Sequence, residues 1–222
     1  HGLTQFGREV VVEMNRLGVL VDVSHASDDT FRDVIETSRA PVIASHSCCR
    51  TLCNAPRNLS NDQIRALADR GGVFHITFHN SFLSQEYADA VKALSPDDAF
   101  SEKAAKEKFG GNEARKLIGG QKKSDELIRS GKLPQVRWEK IVEHIDHAVQ
   151  VAGADHVGLG SDFDGAFMPE GLRDTSQFPK ITEGLLGLGY RESEIAGILG
   201  GNSLRVLDRA GTIGERLRSG KS

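Results

Sequence analysis

Short apolar runs alternate along the chain with segments whose apolar residues recur every three or four positions. The runs are rich in β-branched residues and predict strands at 19–25, 41–46, 73–78 and 156–162. Each run follows a segment with helical periodicity. Nearly continuous apolar strands separated by helices are typical of a parallel sheet covered on both faces. The pattern therefore predicts an α/β fold in which helix and strand alternate four times.

The predicted helices have recognisable ends. Thr4 is placed to cap the first helix and Gly18 to end it. Ser60 and Gln63 form a capping box at the start of the third. In chain order, helices are predicted at 4–17, 27–37, 61–70, from Ser95-Pro96, and at 113–129, 137–151, 181–188 and 192–199. A closing turn or helix is predicted at 202–209, with a frayed tail from Gly214.

Residues 84–135 interrupt the alternation of helix and strand. They are polar and rich in Lys and Glu, and they contain Gly110-Gly111 and Gly119-Gly120. A charged stretch of this kind is most often a solvated face. We expect a helical insertion in a loop above the sheet, within a single domain that covers residues 1–222.

Composition and charge exclude several classes of partner. The chain of 222 residues is 38% hydrophobic and 27% charged, which is ordinary for a globular protein. Its net charge of −3 gives no electrostatic reason to expect a nucleic-acid partner, and no apolar run is long enough for a membrane segment. The three cysteines favour a reducing compartment over a disulfide framework, so we expect a cytoplasmic protein.

Two predicted strands end on the same dipeptide, Ser24-His25 and Ser45-His46. The carboxyl ends of parallel strands meet at one edge of a sheet, so the two imidazoles can converge on one metal ion. The alternative is that each histidine only hydrogen-bonds a loop. His144 and His147 fall on a predicted helix and are expected at the surface or rim.

The third and fourth predicted strands also end on polar residues, His79-Asn80 and Asp162. A carboxylate at a strand tip can take a proton from metal-activated water and pass it to a leaving amine. This predicts Asp162 as the catalytic proton acceptor, although it can also cap the turn that begins at Phe163. His79 either adds a metal ligand or lines the pocket.

Other chemistries find less support in the sequence. Cys49 and Cys53 beside His46 allow a soft-metal site, and Cys48 or Cys49 a thiol nucleophile. There is no second cysteine pair and no evident orienting partner, which favours packing roles. No Gly-x-Ser-x-Gly turn and no complete nucleotide-binding loop follows a predicted strand.

Several motifs in chain order closely resemble those of the membrane (renal) dipeptidase family. They are Gly-Leu-Thr-x-Phe-Gly at 2–7, Asn-Arg-Leu-Gly-Val-Leu-Val-Asp-Val-Ser-His at 15–25, Pro-Val-Ile-Ala-Ser-His-Ser at 41–47, Arg57-Asn58, Gly-Ser-Asp-Phe-Asp-Gly at 160–165, Pro-Glu-Gly-Leu at 169–172 and Gly-Asn-x-Leu-Arg-Val at 201–206. Together they span nearly the whole chain outside residues 84–135.

The resemblance implies a (β/α)8 TIM-type barrel that holds two zinc ions and hydrolyses dipeptides, with a homodimer as one expected assembly. On the matching positions, His25 and His46 would be the two histidine ligands of one zinc ion. Asp162 would have the proton-transfer role. Arg57 would bind the terminal carboxylate of the dipeptide, for which a guanidinium fork is suited. Arg57 comes from the resemblance alone.

The family's remaining site residues have no counterpart on a predicted strand. These are a His-x-Asp pair on the first strand, a glutamate that bridges both metals, and a histidine that contacts substrate. The resemblance therefore implies that the chain corresponds to strands five to eight of the barrel and can be inactive alone. A non-catalytic fragment or binding module, and a barrel amidohydrolase with another amide substrate, remain alternatives.

Overall fold

A computed structural model describes residues 1–95, 98 and 112–220 of the chain. Within these residues, four parallel strands form one sheet in sequential order. The strands are β1 (Val21–Asp22), β2 (Val42–Ser47), β3 (Val73–Ile76) and β4 (Val157–Leu159). Helices connect the strands, as in consecutive units of a β/α barrel. The predicted α/β fold is confirmed.

The strands lie where the apolar runs predict them, but most are shorter. The ladder from β1 continues only to the Val23 amide, which donates to the carbonyl of Ile43. The next amide, that of Ser24, instead donates to the side chain of Asp22. At Ser24 a side-chain oxygen takes the place of a carbonyl acceptor on the neighbouring strand, so the chain leaves the sheet just before His25.

Ten α-helices lie in the described ranges, and the predicted caps are present. The Thr4 hydroxyl accepts the Gly7 amide, Gly18 has a φ of 78°, and Ser60 and Gln63 form the capping box. The helices are α1 (Gln5–Leu17), α2 (Asp28–Thr37), α3 (Asn61–Asp69), α4 (Asn80–Leu83), α5 (Gln85–Lys92), α6 (Glu113–Arg129), α7 (Glu139–Ala152), α8 (Pro179–Gly187), α9 (Glu192–Ala196) and α10 (Asn202–Arg218).

Two short helices, α4 and α5, were not predicted. Helix α4 begins after His79, whose ring nitrogen accepts the Ser81 amide, and α5 begins after Ser84, whose hydroxyl accepts the Tyr87 amide. Histidine is not among the residues usually found at helix N-caps, and a four-residue helix has no visible period. The helix predicted from Ser95-Pro96 falls largely outside the described residues.

The two faces of the sheet differ in polarity. One side of β2 and β3 is fully buried with Ile64 of α3 and Ile141 of α7, and it consists of Val42, Ala44, Phe74 and Ile76. The other side carries Asp22, Ile43 and Ser45, which are exposed or half-buried, and on β3 it carries Val73 and the polar His75, which are buried. The main core therefore lies between the sheet and its outer helices.

The described part of residues 84–135 packs into this core. The hydroxyls of Tyr87 and Ser124 are 2.7 Å apart in a buried contact between α5 and α6. Leu127 and Leu133 belong to the main apolar cluster. The described part of this segment is helical as predicted, but some of its surface is buried against the helices and strands of the main core.

The C-terminal segment is an ordered helix, so the predicted frayed tail from Gly214 is wrong. Helix α10 extends to Arg218, whose guanidinium donates to the Arg16 carbonyl at 2.8 Å. A Cβ atom at residue 214 would lie 2.6 Å from the backbone nitrogen of Gly18. Glycine at this position allows the last helix to contact the end of the first. None of the described helices is long and apolar enough to span a membrane.

We predict opposite effects for two glycine substitutions in α10. Gly214→Ala should lower the free energy of unfolding by about 1–3 kcal/mol, because the new methyl meets the backbone of Gly18. Gly211→Ala should raise it by about 0.5–1 kcal/mol, because its Cβ would have no atom within 4 Å and alanine favours the helix. Urea denaturation measures both. Equal stabilisation by the two changes would contradict the packing of α10 on α1.

Candidate metal centre

The two Ser-His dipeptides bring their imidazoles together. His25 follows β1 and His46 lies near the end of β2. Their Nε2 atoms are 2.9 Å apart, and their ring centroids are 4.9 Å apart with an interplanar angle of 59°. The structure therefore places the two predicted ligands side by side at the carboxyl edge of the sheet.

The separation of the two Nε2 atoms fits a shared metal ion with a small adjustment. Zinc–nitrogen bonds of about 2.0–2.1 Å in a tetrahedral site put two ligand nitrogens about 3.3 Å apart. The observed 2.9 Å is shorter by a few tenths of an ångström. The described residues contain no group of three or more His, Cys, Asp or Glu side chains that could hold a metal ion. This part of the chain thus offers two imidazoles toward a site, not a full ligand set.

Asp22 ties the two dipeptides together. Its Oδ1 accepts the backbone amides of Ser24 and Ser45, each at 3.0 Å, and its Oδ2 accepts the Ser45 hydroxyl. The Ser45 hydroxyl is also 2.8 Å from Nδ1 of His46, whose own amide donates to the Ser24 hydroxyl at 2.8 Å. Burial acts to raise the pKa of Asp22, but the hydrogen bonds from Ser45 and Ser24 outweigh it and hold that pKa below its usual range.

The surroundings of His25 favour its neutral ring. Partial burial lowers its pKa, and the electrostatic effects of the neighbouring Arg57 and His46 act in the same direction. The carboxylates of Asp22 and Asp162 oppose it without reversing it. Because a metal ion binds the unprotonated ring nitrogen, a lowered pKa keeps His25 in the form that can bind.

Arg57 lies on the loop after β2, next to the histidine pair. Its Nη1 donates to the Ser24 carbonyl at 2.6 Å, and its guanidinium carbon is 5.7 Å from the centre of the Phe82 ring. The neighbouring Asn58 is fully buried and bonds the carbonyls of Cys53 and Phe82, which holds the loop. In the described residues no carboxylate forms an ion pair with Arg57. Burial lowers its pKa, while the nearby Asp162 and Asp22 act to raise it.

Asp162 follows β4 with a φ of 58°, the only positive φ at a non-glycine residue in the described ranges. Its charge acts on both His25 and Arg57, so it lies at the same edge of the sheet. A Cβ at Gly165 would be 2.2 Å from Oδ1 of Asp162, so glycine there leaves room for the carboxylate. The following turn is closed by the Asp162 main-chain oxygen, which accepts the Gly165 amide. The side-chain cap considered as an alternative is not seen among the described hydrogen bonds.

His79 lies beside Arg57 in an aromatic environment. Its Nδ1 accepts the Ser81 amide, and its ring centre is 4.6 Å from that of Phe82 and 5.9 Å from that of Phe167. Burial, with a contribution from the charge of Arg57, lowers its pKa to about 4. His79 therefore lines the Arg57 side of the site and is not grouped with His25 and His46.

The three cysteines are buried in the apolar core. Burial raises the pKa of the Cys49 thiol to about 12 and that of Cys48 well above its usual value. The Cys49 thiol donates to the His144 carbonyl and that of Cys53 to the Ser81 carbonyl. A thiol with a raised pKa is a poor nucleophile and a poor metal ligand at neutral pH. The burial of the three cysteines fits the packing role that the sequence favours.

His144 is fully buried, so its predicted place at the surface or rim is wrong. Its Nδ1 accepts the Cys49 amide at 3.0 Å and its Nε2 donates to the Leu83 carbonyl at 3.1 Å. The order His144-Ile145-Asp146 is a His-x-Asp sequence, but it lies within α7 and not on a strand. The two hydrogen bonds of the His144 ring join α7 to the loop after β2 and to α4. They leave no free ring nitrogen for a metal.

These features define a class of protein. Four parallel β/α units place two imidazoles, a guanidinium and a carboxylate at the carboxyl ends of the strands. That is the edge at which TIM-barrel proteins carry their chemistry. The chain is an α/β protein of this type.

The family model of the membrane dipeptidases (peptidase family M19) matches residues 1–221. The chain belongs to this family. It is 32% identical to Dipeptidase 3 of Macaca fascicularis over 219 aligned residues. The aligned residues make up 98% of this chain and 35% of that protein. Two solved structures are each 28% identical. A metallo peptidase from Rhodobacter sphaeroides liganded with a phosphinate mimic of the dipeptide L-Ala-D-Ala has a TM-score of 0.70, and the probable dipeptidase PvdM from Pseudomonas aeruginosa has 0.75.

The matches cover only part of each relative's length. The chain spans about a third of the length of the curated relative, 48% of the Rhodobacter chain and 55% of the Pseudomonas chain. The match covers 95% or more of this chain in all three.

We predict that stability falls as the pH drops from about 6.5 to about 4. Burial lowers the pKa of His144 to about 4, so the unfolded chain takes up its proton first and is favoured in that window. The loss attributable to His144 should be about 2–3 kcal/mol and should be absent above pH 6.5. Urea denaturation at several pH values measures it.

The matched variants are His144→Gln and Ile145→Val. The first should flatten the pH profile and leave the parts contributed by His25, His75 and His79, whose pKa values burial also lowers. The second removes one methylene from the adjacent buried residue and should lower stability by about 0.5–1.5 kcal/mol at every pH. An unchanged pH slope in His144→Gln would contradict the assignment.

Proposed function

We propose that this chain supplies half of the active site of a zinc-dependent dipeptidase. His25 and His46 are ligands of one zinc ion, Arg57 holds the terminal carboxylate of the dipeptide, and Asp162 moves a proton. The observation that carries the proposal is the convergence of the two Nε2 atoms from successive strand ends, beside a guanidinium without an ion pair in the described residues.

The ligand count limits what this chain does alone. Two imidazoles are fewer than the three protein ligands of an ordinary catalytic zinc site. We therefore propose that groups outside the 222 residues complete a two-zinc site, and that the chain alone does not hydrolyse dipeptides. Zinc bound there would supply Lewis-acid activation of water for attack on an amide. The metallo peptidase with a bound dipeptide mimic, to which the chain is similar, supports this substrate class.

Arg57 favours a dipeptidase over an amidohydrolase with another substrate. A half-buried guanidinium that donates only to a carbonyl has donors left over, and its fork matches a carboxylate. A dipeptide has a free carboxylate one residue from its only peptide bond. Binding of that carboxylate by Arg57 would position the peptide bond near the histidine pair.

Asp162 is suited to proton transfer by its position at the strand end and by the lack of hydrogen bonds to its carboxylate in the described residues. In the described residues its carboxylate accepts no hydrogen bond, so both oxygens are available to a water molecule or an amine. Asp162 would accept a proton from the attacking water and deliver it to the nitrogen of the leaving amino acid. The left-handed backbone at Asp162 would hold the carboxylate at the strand end for both steps.

The other expectations from the sequence stay predictions. We propose a single domain that forms the C-terminal part of the barrel, with residues 84–135 as a helical insertion. The burial of Tyr87 and Leu127 with the main core supports this. Homodimer formation and a cytoplasmic location are further predictions.

We predict that the 222-residue chain binds cobalt(II), used as a spectroscopic substitute for zinc, through the histidine pair. His25→Ala or His46→Ala should weaken binding at least tenfold, because one of only two imidazole ligands is lost. His147→Ala changes a histidine that bonds Asn61 away from the strand ends and should have no effect. Visible absorption during a cobalt titration measures the affinity. Equal affinities in all four proteins would refute the metal assignment.

We predict different kinetic defects for Arg57 and Asp162 in the enzyme with a complete metal site. Arg57→Ala should raise KM about 10–100-fold, because the carboxylate contact is present before and during the reaction. Asp162→Asn should lower kcat about 10²–10⁴-fold with metal content preserved, because proton transfer matters only in the reaction. Steady-state kinetics and metal analysis distinguish the two.

The controls are a second arginine and a second substrate. Arg65→Ala removes an exposed guanidinium paired with Asp62 and should leave KM unchanged. A dipeptide amide lacks the carboxylate, so Arg57→Ala should affect its hydrolysis little. A loss of kcat alone in both Arg57→Ala and Asp162→Asn would contradict the assigned roles.

A further inference from the structure

A chain of side chains leads from Asp22 to the candidate ligand His46. The Asp22 carboxylate accepts the Ser45 hydroxyl, and the same Ser45 oxygen is 2.8 Å from Nδ1 of His46. Asp22 is on β1, whereas Ser45 and His46 are consecutive on β2. The chain thus crosses between the two strands whose ends carry the histidine pair.

Donor and acceptor counting fixes the direction of each hydrogen bond. An ionised carboxylate only accepts, so the single proton of the Ser45 hydroxyl points to Asp22. The contact between Ser45 and His46 must then be donated by Nδ1–H of the ring. A hydroxyl oxygen has two lone pairs, so the 3.3 Å contact from the Ser24 hydroxyl to Ser45 is compatible with this direction.

We propose that Asp22 and Ser45 are positioning residues that fix His46 as its Nδ1–H tautomer, with the lone pair of Nε2 directed at the metal position. The proposal rests on the proposed function, since it concerns the same imidazole. Outer partners of this kind commonly set the tautomer and orientation of a metal-binding histidine. Here the carboxylate acts through a serine hydroxyl from the neighbouring strand.

The second histidine has no such partner among the described hydrogen bonds. Its Nε2 is 2.9 Å from Nε2 of His46, which in the assigned tautomer can only accept. His25 therefore carries its proton on Nε2 and donates it to His46 in the metal-free chain. To bind a metal through Nε2, His25 must release that proton to water and take one up at Nδ1, with no net change in charge. His46 needs no such exchange.

The first test reads both tautomers in the metal-free chain. Long-range proton–nitrogen NMR on histidine labelled with ¹⁵N, at about pH 8 where unperturbed imidazoles are neutral, distinguishes the two ring nitrogens. We expect Nδ1–H for His46 and Nε2–H for His25, with signals assigned from His46→Gln and His25→Gln. Saturation with zinc should move the His25 proton to Nδ1 and leave the His46 tautomer unchanged. An Nε2–H tautomer for His46 in the unsubstituted chain would overturn the proposal.

Variants separate the relay from general packing. In Asp22→Asn the introduced amide NH₂ faces the Ser45 oxygen, so the hydroxyl turns to donate to Nδ1 and His46 should change to Nε2–H. Cobalt affinity should then fall about 10–100-fold. Ser45→Ala should lose about tenfold, and Ser45→Thr, which keeps the hydroxyl, should restore it. Ser24→Ala removes the acceptor of the His46 amide but should keep the Nδ1–H tautomer.

The outcomes distinguish this proposal from the proposed function. Unchanged cobalt affinity and tautomer in Asp22→Asn and Ser45→Ala, with binding still dependent on His46, would refute the relay and keep the metal site. Loss of affinity in Ser45→Ala that Ser45→Thr does not restore would also refute it. Binding of cobalt that depends on neither His25 nor His46 would refute the metal site itself, and the tautomers would still report on the relay.

Discussion

The carboxylate of Asp22 is the interaction on which the candidate site depends. It accepts hydrogen bonds from two amides and one hydroxyl, and these donors come from the ends of two neighbouring strands. Because these amides bond a side chain, the ladder between β1 and β2 ends at this level and the chain can turn outward. That turn is what brings His25 to His46. A carboxylate that accepts three hydrogen bonds is strongly held, which fixes the geometry of the two strand ends.

Local sequence patterns were sufficient for the fold and for part of the site. The apolar runs predicted β2 and β3 because their buried side is continuous, and the caps at Thr4 and Ser60 predicted helix starts through local hydrogen bonds. His25 and His46 could be paired because parallel strands end at the same edge. Asp162 followed from the same argument. Each of these inferences needs only residues close together in the chain and one rule about sheet geometry.

The rest could not be read from local pattern because it depends on distant contacts. His144 appears polar on a helix, but its partners are the Cys49 amide and the Leu83 carbonyl, 95 and 61 residues away. Arg57 sits in a loop without period, and only the resemblance to a family singled it out. Gly214 looked like part of a loose tail, whereas its lack of a side chain is what allows contact with Gly18. The role of Ser45 depends on which groups surround its hydroxyl, and the contacts with Asp22 and His46 are visible only in the three-dimensional structure.

The contact between the first and last helices has a consequence for synthesis on the ribosome. Gly18 and Gly214 lie nearly 200 residues apart in the sequence, so the contact between α1 and α10 cannot form until α10 has left the exit tunnel. Contacts between such distant residues form late and slow the search for the native state. Segments that wait for a distant packing partner during synthesis are typical sites of chaperone binding.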